Sequence, residues 1–218
     1  MKSLYFLVAV LIVGAGGQAP DTASVRGKIV FGGAIPVTPP ANMAADPYCA
    51  SISLPQEKLE DVIVYARPLG QPSFPVPASP VILERHDCRS VPHTLTIQVG
   101  QKLLMRNSDR TAHNFHAWPT TNTSFNVALA RTGSESEQVF QKEESPFPIR
   151  DDIHNWESAY VGVFSHPYHV VSKLNGAYEF RLPAGVYEIG VWHEKLGKQT
   201  HTFGVMDGEF RELDFTFK

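Results

Sequence analysis

The chain has 218 residues, 43% of them apolar and 19% charged. It is long enough to bury a real core without a metal or disulfide as a folding requirement, and too apolar to be disordered. A net charge of −3 offers no basic surface for nucleic acid, and two cysteines exclude a four-thiolate zinc site or an iron–sulfur cluster within one chain. With 16 glycines, 17 prolines and 13 phenylalanines, the composition favours many short strands and turns over long helices.

The chain opens with Lys2, an apolar run from Leu4 to Val13, and a small-residue stretch ending at Ala19. This is the pattern of a secretory signal over residues 1–19; the run is too short to span a bilayer. An uncleaved anchor is the alternative. No cysteine follows the run, which excludes a lipoprotein anchor. The expectation is a periplasmic or secreted protein with no stable membrane insertion after cleavage. In such an oxidising compartment Cys49 and Cys88 are expected to form a disulfide closing a loop of 39 residues. The competing reading makes Cys88 a thiolate ligand beside His86 and His93.

Strand-like runs follow at Val25–Phe31, Asp61–Ala66, Val81–Leu83, Thr94–Val99 and Leu103–Asn107, the last two flanking Gly100-Gln101 as in a hairpin. Tyr160–Phe164, Ala177–Leu182, Val186–Trp192, Thr202–Met206 and Glu212–Phe217 complete the set. No window keeps a 3.6-residue period. Ser134–Glu137 could open a short helix or belong to a strand centred on Phe140. Asp46–Glu60 reads as an ordered loop pinned by Cys49, and the prolines of Arg67–Pro80 as a stiff connector. The class is all-β, a sandwich.

Nine histidines carry the chemistry. A strand ends in Arg106-Asn-Ser-Asp109, and His113-Asn114 follows. Some forty residues on, Asp151, His154 and Glu157 stand at i, i+3 and i+6 in a turn that feeds the strand beginning Ala159-Tyr160-Val161. Two adjacent strand-end loops can bring such groups together. His116 is a further candidate, but on an extended strand it faces away from His113. Histidines 93, 166 and 193 lie beside aromatics or proline and read as packing groups, although the stretch that also holds His169 is rich enough in imidazole to attract Cu(II) or Zn(II).

The stretch Gly100-Gln101-x-Leu103-x-x-x-Asn107-x-Asp109-x-x-x-His113-Asn114 resembles the first copper-ligand loop of cupredoxins, the plastocyanin/azurin-like blue-copper family. Asp151-x-x-His154-x-x-Glu157 before Ala159-Tyr160-Val161 resembles their second loop, Cys-x-x-His-x-x-Met. The resemblance covers about residues 81–163 and implies a Greek-key β-sandwich with His113 and His154 as ligands. Asp151 stands where the family has cysteine and Glu157 where it has methionine, so a blue-copper site is not expected. Two imidazoles and two carboxylates suit Cu(II), foremost, or another divalent transition metal. Separately, Gly176–Gly185 with Val186-Tyr187 is similar to the hairpin motif of carboxypeptidase-regulatory, transthyretin-like (prealbumin-like) sandwiches, and Ser24–Pro36 to their opening strand. The organisation expected is residues 24–70 and 170–218 as one such sandwich, with a cupredoxin-like domain over 78–165 carried between them.

No nucleophile elbow, phosphate-binding loop, zincin motif or dinucleotide fingerprint is present. A non-catalytic metal-handling protein, with an envelope protein as its partner, is therefore the leading expectation. A metal-free module binding protein or glycan and an electron-transfer component are the alternatives.

Overall fold

The computed structural model describes residues 22–33, 43–52, 61–70 and 73–218. The expected signal segment, residues 1–19, lies outside them. Among the described residues no helix is long and apolar enough to cross a membrane.

The described strands are, in chain order, β1 (Ala23–Phe31), β2 (Ile63–Pro68), β3 (Val81–Arg85), β4 (Ser90–Val91), β5 (Thr94–Gln98), β6 (Lys102–Asn107), β7 (His113–Ala117) and β8 (Phe125–Leu129). There follow β9 (Glu135–Val139), β10 (Glu144–Arg150), β11 (Ser158–Phe164), β12 (His169–Val171), β13 (Ala177–Leu182) and β14 (Gly185–His193). Last come β15 (Gly197–Val205), β16 (Phe210–Glu212) and β17 (Phe215–Phe217); a single 3-10 turn, Cys49–Ser51, is the one described helical element. The all-β sandwich class read from the sequence is what forms, and Glu135–Val139 is strand, not helix.

The strands make four sheets around two cores. One core lies between the sheet β13-β1-β16, in which β17 also pairs with β1, and the sheet β12-β2-β14-β15. Val25, Ile29, Val64, Phe180, Leu182, Tyr187 and Ile189 fill it. Period-two alternation explains the choice: in β13 Tyr178, Phe180 and Leu182 point inward while Glu179 and Arg181 face water. The other core lies between β5-β11-β10-β7-β8 and β4-β3-β6-β9 and is filled by Leu83, Ile97, Leu103, Met105, Phe115, Ile149 and Val161.

Two hairpins expected from the sequence are absent. β5 pairs in parallel with β11, whereas β6 pairs with β3 and β9, so Gly100-Gln101 turns the chain from one sheet to the facing one. Likewise β13 pairs with β1, and β14 with β2 and β15. The reason is the same in both places. The apolar faces of the two strands (Leu95 and Ile97 against Leu103 and Met105; Phe180 and Leu182 against Tyr187 and Ile189) look at each other across a core, which side-by-side pairing would prevent.

β2 is apolar on both faces because it serves two contacts. Val64 and Ala66 enter the terminal core, while Ile63 and Tyr65 join Phe164, with Trp192 against them, in a small cluster where the two sandwiches meet. Gly190 makes room there. It lies directly opposite Tyr65, and a Cβ would come within 2.2–2.5 Å of that ring. Gly190→Ala is expected to destabilise the protein by about 2–3 kcal/mol, since a rigid ring must move. Thermal denaturation should show a Tm about 5–10 °C lower; an unchanged Tm would mean that the ring has space elsewhere.

Candidate metal centre

The site sits at one end of the central sandwich. His113 opens β7, just after a loop held by Asn107. That side chain donates from Nδ2 to the carbonyls of Thr111 and Leu129, both at 2.8 Å, and its Oδ1 accepts the Asp109 N–H at 2.8 Å. The second loop, Asp151–Glu157, is one tight turn between β10 and β11. Asp151 Oδ1 accepts the N–H groups of Ile153 and His154 at 2.8 and 2.9 Å. The Glu157 N–H donates to the His154 carbonyl at 2.8 Å. The i, i+3, i+6 spacing therefore puts Asp151, His154 and Glu157 on one side of the turn, facing His113.

All four side chains are buried, and one donor atom from each lies within 4.8 Å of the others. His113 Nδ1 is 3.0 Å from His154 Nδ1, 2.8 Å from Asp151 Oδ2 and 3.4 Å from Glu157 Oε1. His154 Nδ1 is 3.7 Å from Asp151 Oδ2 and 3.9 Å from Glu157 Oε1. An ion about 2.0–2.1 Å from each of four donors in a tetrahedron separates them by about 3.3 Å. The donors present bracket that value. Both carboxylate oxygens of Glu157 are buried without a hydrogen bond, as a ligand carboxylate without its ion would be.

The electrostatics are set by a cation that sequence reading missed. Arg85, on β3 and fully buried, puts Nε 3.8 Å from Asp151 Oδ2 and Nη1 3.6 Å from Glu157 Oε2. Its Nη2 donates to the Asn114 carbonyl at 3.1 Å, Nη1 donates to Ser90 Oγ, and the guanidinium stacks on the Phe115 ring at 4.6 Å. Burial pushes the Glu157 carboxyl up to about 7 against the pull of Arg85 and His113. Burial also opposes a charge on His113, but hydrogen bonds to Asp109 and Asp151 outweigh it and raise that group to about 9. Burial would raise Asp151, yet the His113 hydrogen bond, the His154 N–H and Arg85 hold it below its usual range. Without metal, two cations offset the carboxylates.

Two further carboxylates escaped the sequence reading as site groups. Asp109 Oδ2 is 3.0 Å from His113 Nε2, and Asp46 Oδ2 is 3.1 Å from His154 Nε2. Asp109 lay inside the quoted first-loop pattern, and Asp46 lay three residues before Cys49, so the signals were position in a motif and proximity to a staple. Arg85 had only strand alternation with Leu83 to mark it.

His116 stands apart from the four donors. Its Nδ1 is 2.7 Å from Asp152 Oδ2, and the Trp118 ring lies over it at 3.5 Å. Cys49 and Cys88 form a disulfide, so Cys88 is not a thiolate ligand and no free cysteine remains among the described residues. Trp156 lies against His154, with ring centroids 5.1 Å apart, and donates from Nε1 to the Cys88 carbonyl at 3.2 Å. Of the histidines read as packing groups, His166 and His193 are buried. His93 instead links the two sandwiches, with Nε2 3.0 Å from Glu194 Oε1 and Nδ1 3.0 Å from the Ser158 carbonyl.

No protein-family model matches the chain, and no curated protein matches it. Solved structures do. A purple cupredoxin from Nitrosopumilus maritimus is 22% identical with a TM-score of 0.33, over 38% of this chain and 98% of that one. Amicyanin from Paracoccus versutus is 17% identical with a TM-score of 0.34, over 40% of this chain and 84% of that one. A copper-containing nitrite reductase from Thermus scotoductus is 15% identical with a TM-score of 0.37, over 62% of this chain but only 28% of that one. At such scores and identities none of them decides what this chain binds.

Proposed function

We propose that this protein binds one divalent transition-metal ion, copper foremost, through His113 Nδ1, His154 Nδ1, Asp151 Oδ2 and Glu157 Oε1, and serves metal handling outside the cytoplasm without catalysing a reaction. The observation that carries this reading is the convergence of four buried donors at separations suited to a single ion, with neither oxygen of Glu157 in a hydrogen bond. Imidazole and carboxylate suit Cu(II) and Zn(II). With both sulfurs in a disulfide, nothing here supplies the thiolate of a blue-copper site. The ion, when bound, would supply the positive charge that the carboxylates face. Asp151 and Glu157 would hold that charge, and His113 would give up its Nδ1 proton to make a lone pair available. An envelope protein is the proposed source or recipient of the ion.

The test is calorimetric titration of metal-free protein with Zn(II) and Cu(II) in buffers of different ionisation enthalpy. A stoichiometry near one is expected, lost in the His113→Ala, His154→Ala double variant. Because His113 is raised to about 9 and Glu157 to about 7, binding at pH 7 should release about one to two protons. The Cu(II) protein should show only weak visible absorption. An intense thiolate-to-copper band would refute the donor set, and no heat of binding would refute the metal reading.

The buried Arg85 favours a second reading, in which the same network is a metal-free polar core of an interaction module. In that case the double variant alters stability alone and no titration saturates.

A further inference from the structure

Each of the two imidazoles has its outer nitrogen, Nε2, on a carboxylate: His113 on Asp109 at 3.0 Å and His154 on Asp46 at 3.1 Å. Each of these carboxylates also accepts three further hydrogen bonds from N–H or O–H donors, so each Nε2 is placed to donate to an acceptor, which leaves Nδ1 as the atom that can face an ion.

The two carboxylates are themselves fixed by the two half-cystines. Asp46 Oδ1 accepts the N–H groups of Tyr48 and Cys49 at 2.8 and 3.1 Å, and its Oδ2 accepts the Thr111 hydroxyl at 2.6 Å. Asp109 accepts the N–H groups of Asp87 and Cys88 at 2.7 and 2.9 Å. Asp87 and Cys88 both have φ of +52°, a left-handed pair that turns two successive N–H groups toward one carboxylate. The Cys49–Cys88 bond then joins the two platforms covalently, and the Tyr48 hydroxyl, donating to Asp109 at 3.3 Å, ties them a second time. The disulfide lies outside the donor set, yet each half-cystine reaches one histidine through a single backbone N–H and one carboxylate.

We propose that Asp46 and Asp109 are the positioning residues of the centre and that the Cys49–Cys88 disulfide is the clamp that aligns them, so that metal affinity depends on a covalent bond that supplies no ligand. This rests on the metal-binding reading above. Outer carboxylates of this kind typically change metal affinity 10–100-fold.

The experiment uses the chain carrying 15N-labelled histidine, with Zn(II) affinity measured by competition against a chromophoric chelator. In metal-free wild type, two slowly exchanging Nε2–H resonances are expected. Asp46→Ala should abolish that of His154 and Asp109→Ala that of His113, each weakening Zn(II) about 10–100-fold. Asn at either position keeps an acceptor without the charge, so it should restore the resonance and part of the affinity. The Cys49→Ser, Cys88→Ser variant should broaden both resonances and weaken Zn(II) comparably; the aspartate variants decide the matter if it does not fold. Absence of Zn(II) uptake by wild type overturns the metal reading and this proposal with it. Uptake by wild type with affinity within about threefold in both alanine variants and in the disulfide variant overturns the clamp alone.

Discussion

Arg85→Met is expected to destabilise the metal-free protein by about 3–5 kcal/mol, the usual cost of stripping a buried carboxylate of its cation. It should also tighten Zn(II) binding. The guanidinium is fully buried, 3.6 Å from Glu157 and 3.8 Å from Asp151, so removing it takes away the permanent positive charge that both carboxylates face. Methionine matches the stem and can still cover the Phe115 face. A dication in the site would feel the loss with the opposite sign, because Arg85 repels it at short range through a partly dry interior. An affinity gain of at least about 10-fold is expected. Denaturant unfolding in chelator measures the first effect and chelator competition the second. Adding Glu157→Gln to Arg85→Met should recover a substantial part of the lost metal-free stability, because the two groups face each other and their effects should not add. If Arg85→Met weakens Zn(II) while remaining folded, the arginine orients ligands instead of competing with the ion, and the charge argument fails.

The sequence revealed the four converging donors and the disulfide more readily than the groups that govern their charge. His113, Asp151, His154 and Glu157 are visible because turn and strand-end spacing is local: three of them share seven residues, and the fourth opens a strand after a polar turn. Arg85, Asp46 and Asp109 act through contacts across the fold, and a lone arginine in an alternating strand reads as a surface residue until its neighbours are known. The hairpins failed for a related reason. Alternation tells which side of Leu103–Asn107 is apolar, not whether that side meets Thr94–Gln98 beside it in a sheet or across a core. The continuous apolar run of β2 has no polar side to give to water, in keeping with its burial on both faces.

Metal-free protein should be most stable near pH 6 and lose stability on both sides, and Zn(II) should rescue only the alkaline side. On the acid side, burial, together with its neighbours His169 and Arg67, pushes His166 down to about 3, and burial pushes His169 down to about 4. Three of their four ring nitrogens are buried without a partner. The unfolded chain binds protons at these groups from about 6.5 downward while the native protein does not. Their contribution is thus intact above that value and is lost at about 1.4 kcal/mol per pH unit for each histidine as pH falls toward 3–4. On the alkaline side the native protein holds the extra protons. Glu157, raised to about 7, makes the native state less favourable as pH climbs from 4.5 to 7, and the stabilisation from His113, full below 6.5, is lost as pH rises through about 9. Those are the two protons that Zn(II) displaces, so saturating Zn(II) should flatten the curve from pH 7 to 9. It should leave the fall below pH 5 in place, where the ligands protonate and His166 and His169 lie outside the site. Differential scanning calorimetry at unit pH steps, with chelator and with Zn(II), reads this directly: a metal-free Tm about 5–10 °C lower at pH 9 than at pH 6.5 is expected. A metal-free Tm that is flat or rising over that interval would mean that His113 carries no second proton between Asp109 and Asp151, and that Arg85 is the cation that balances the carboxylates.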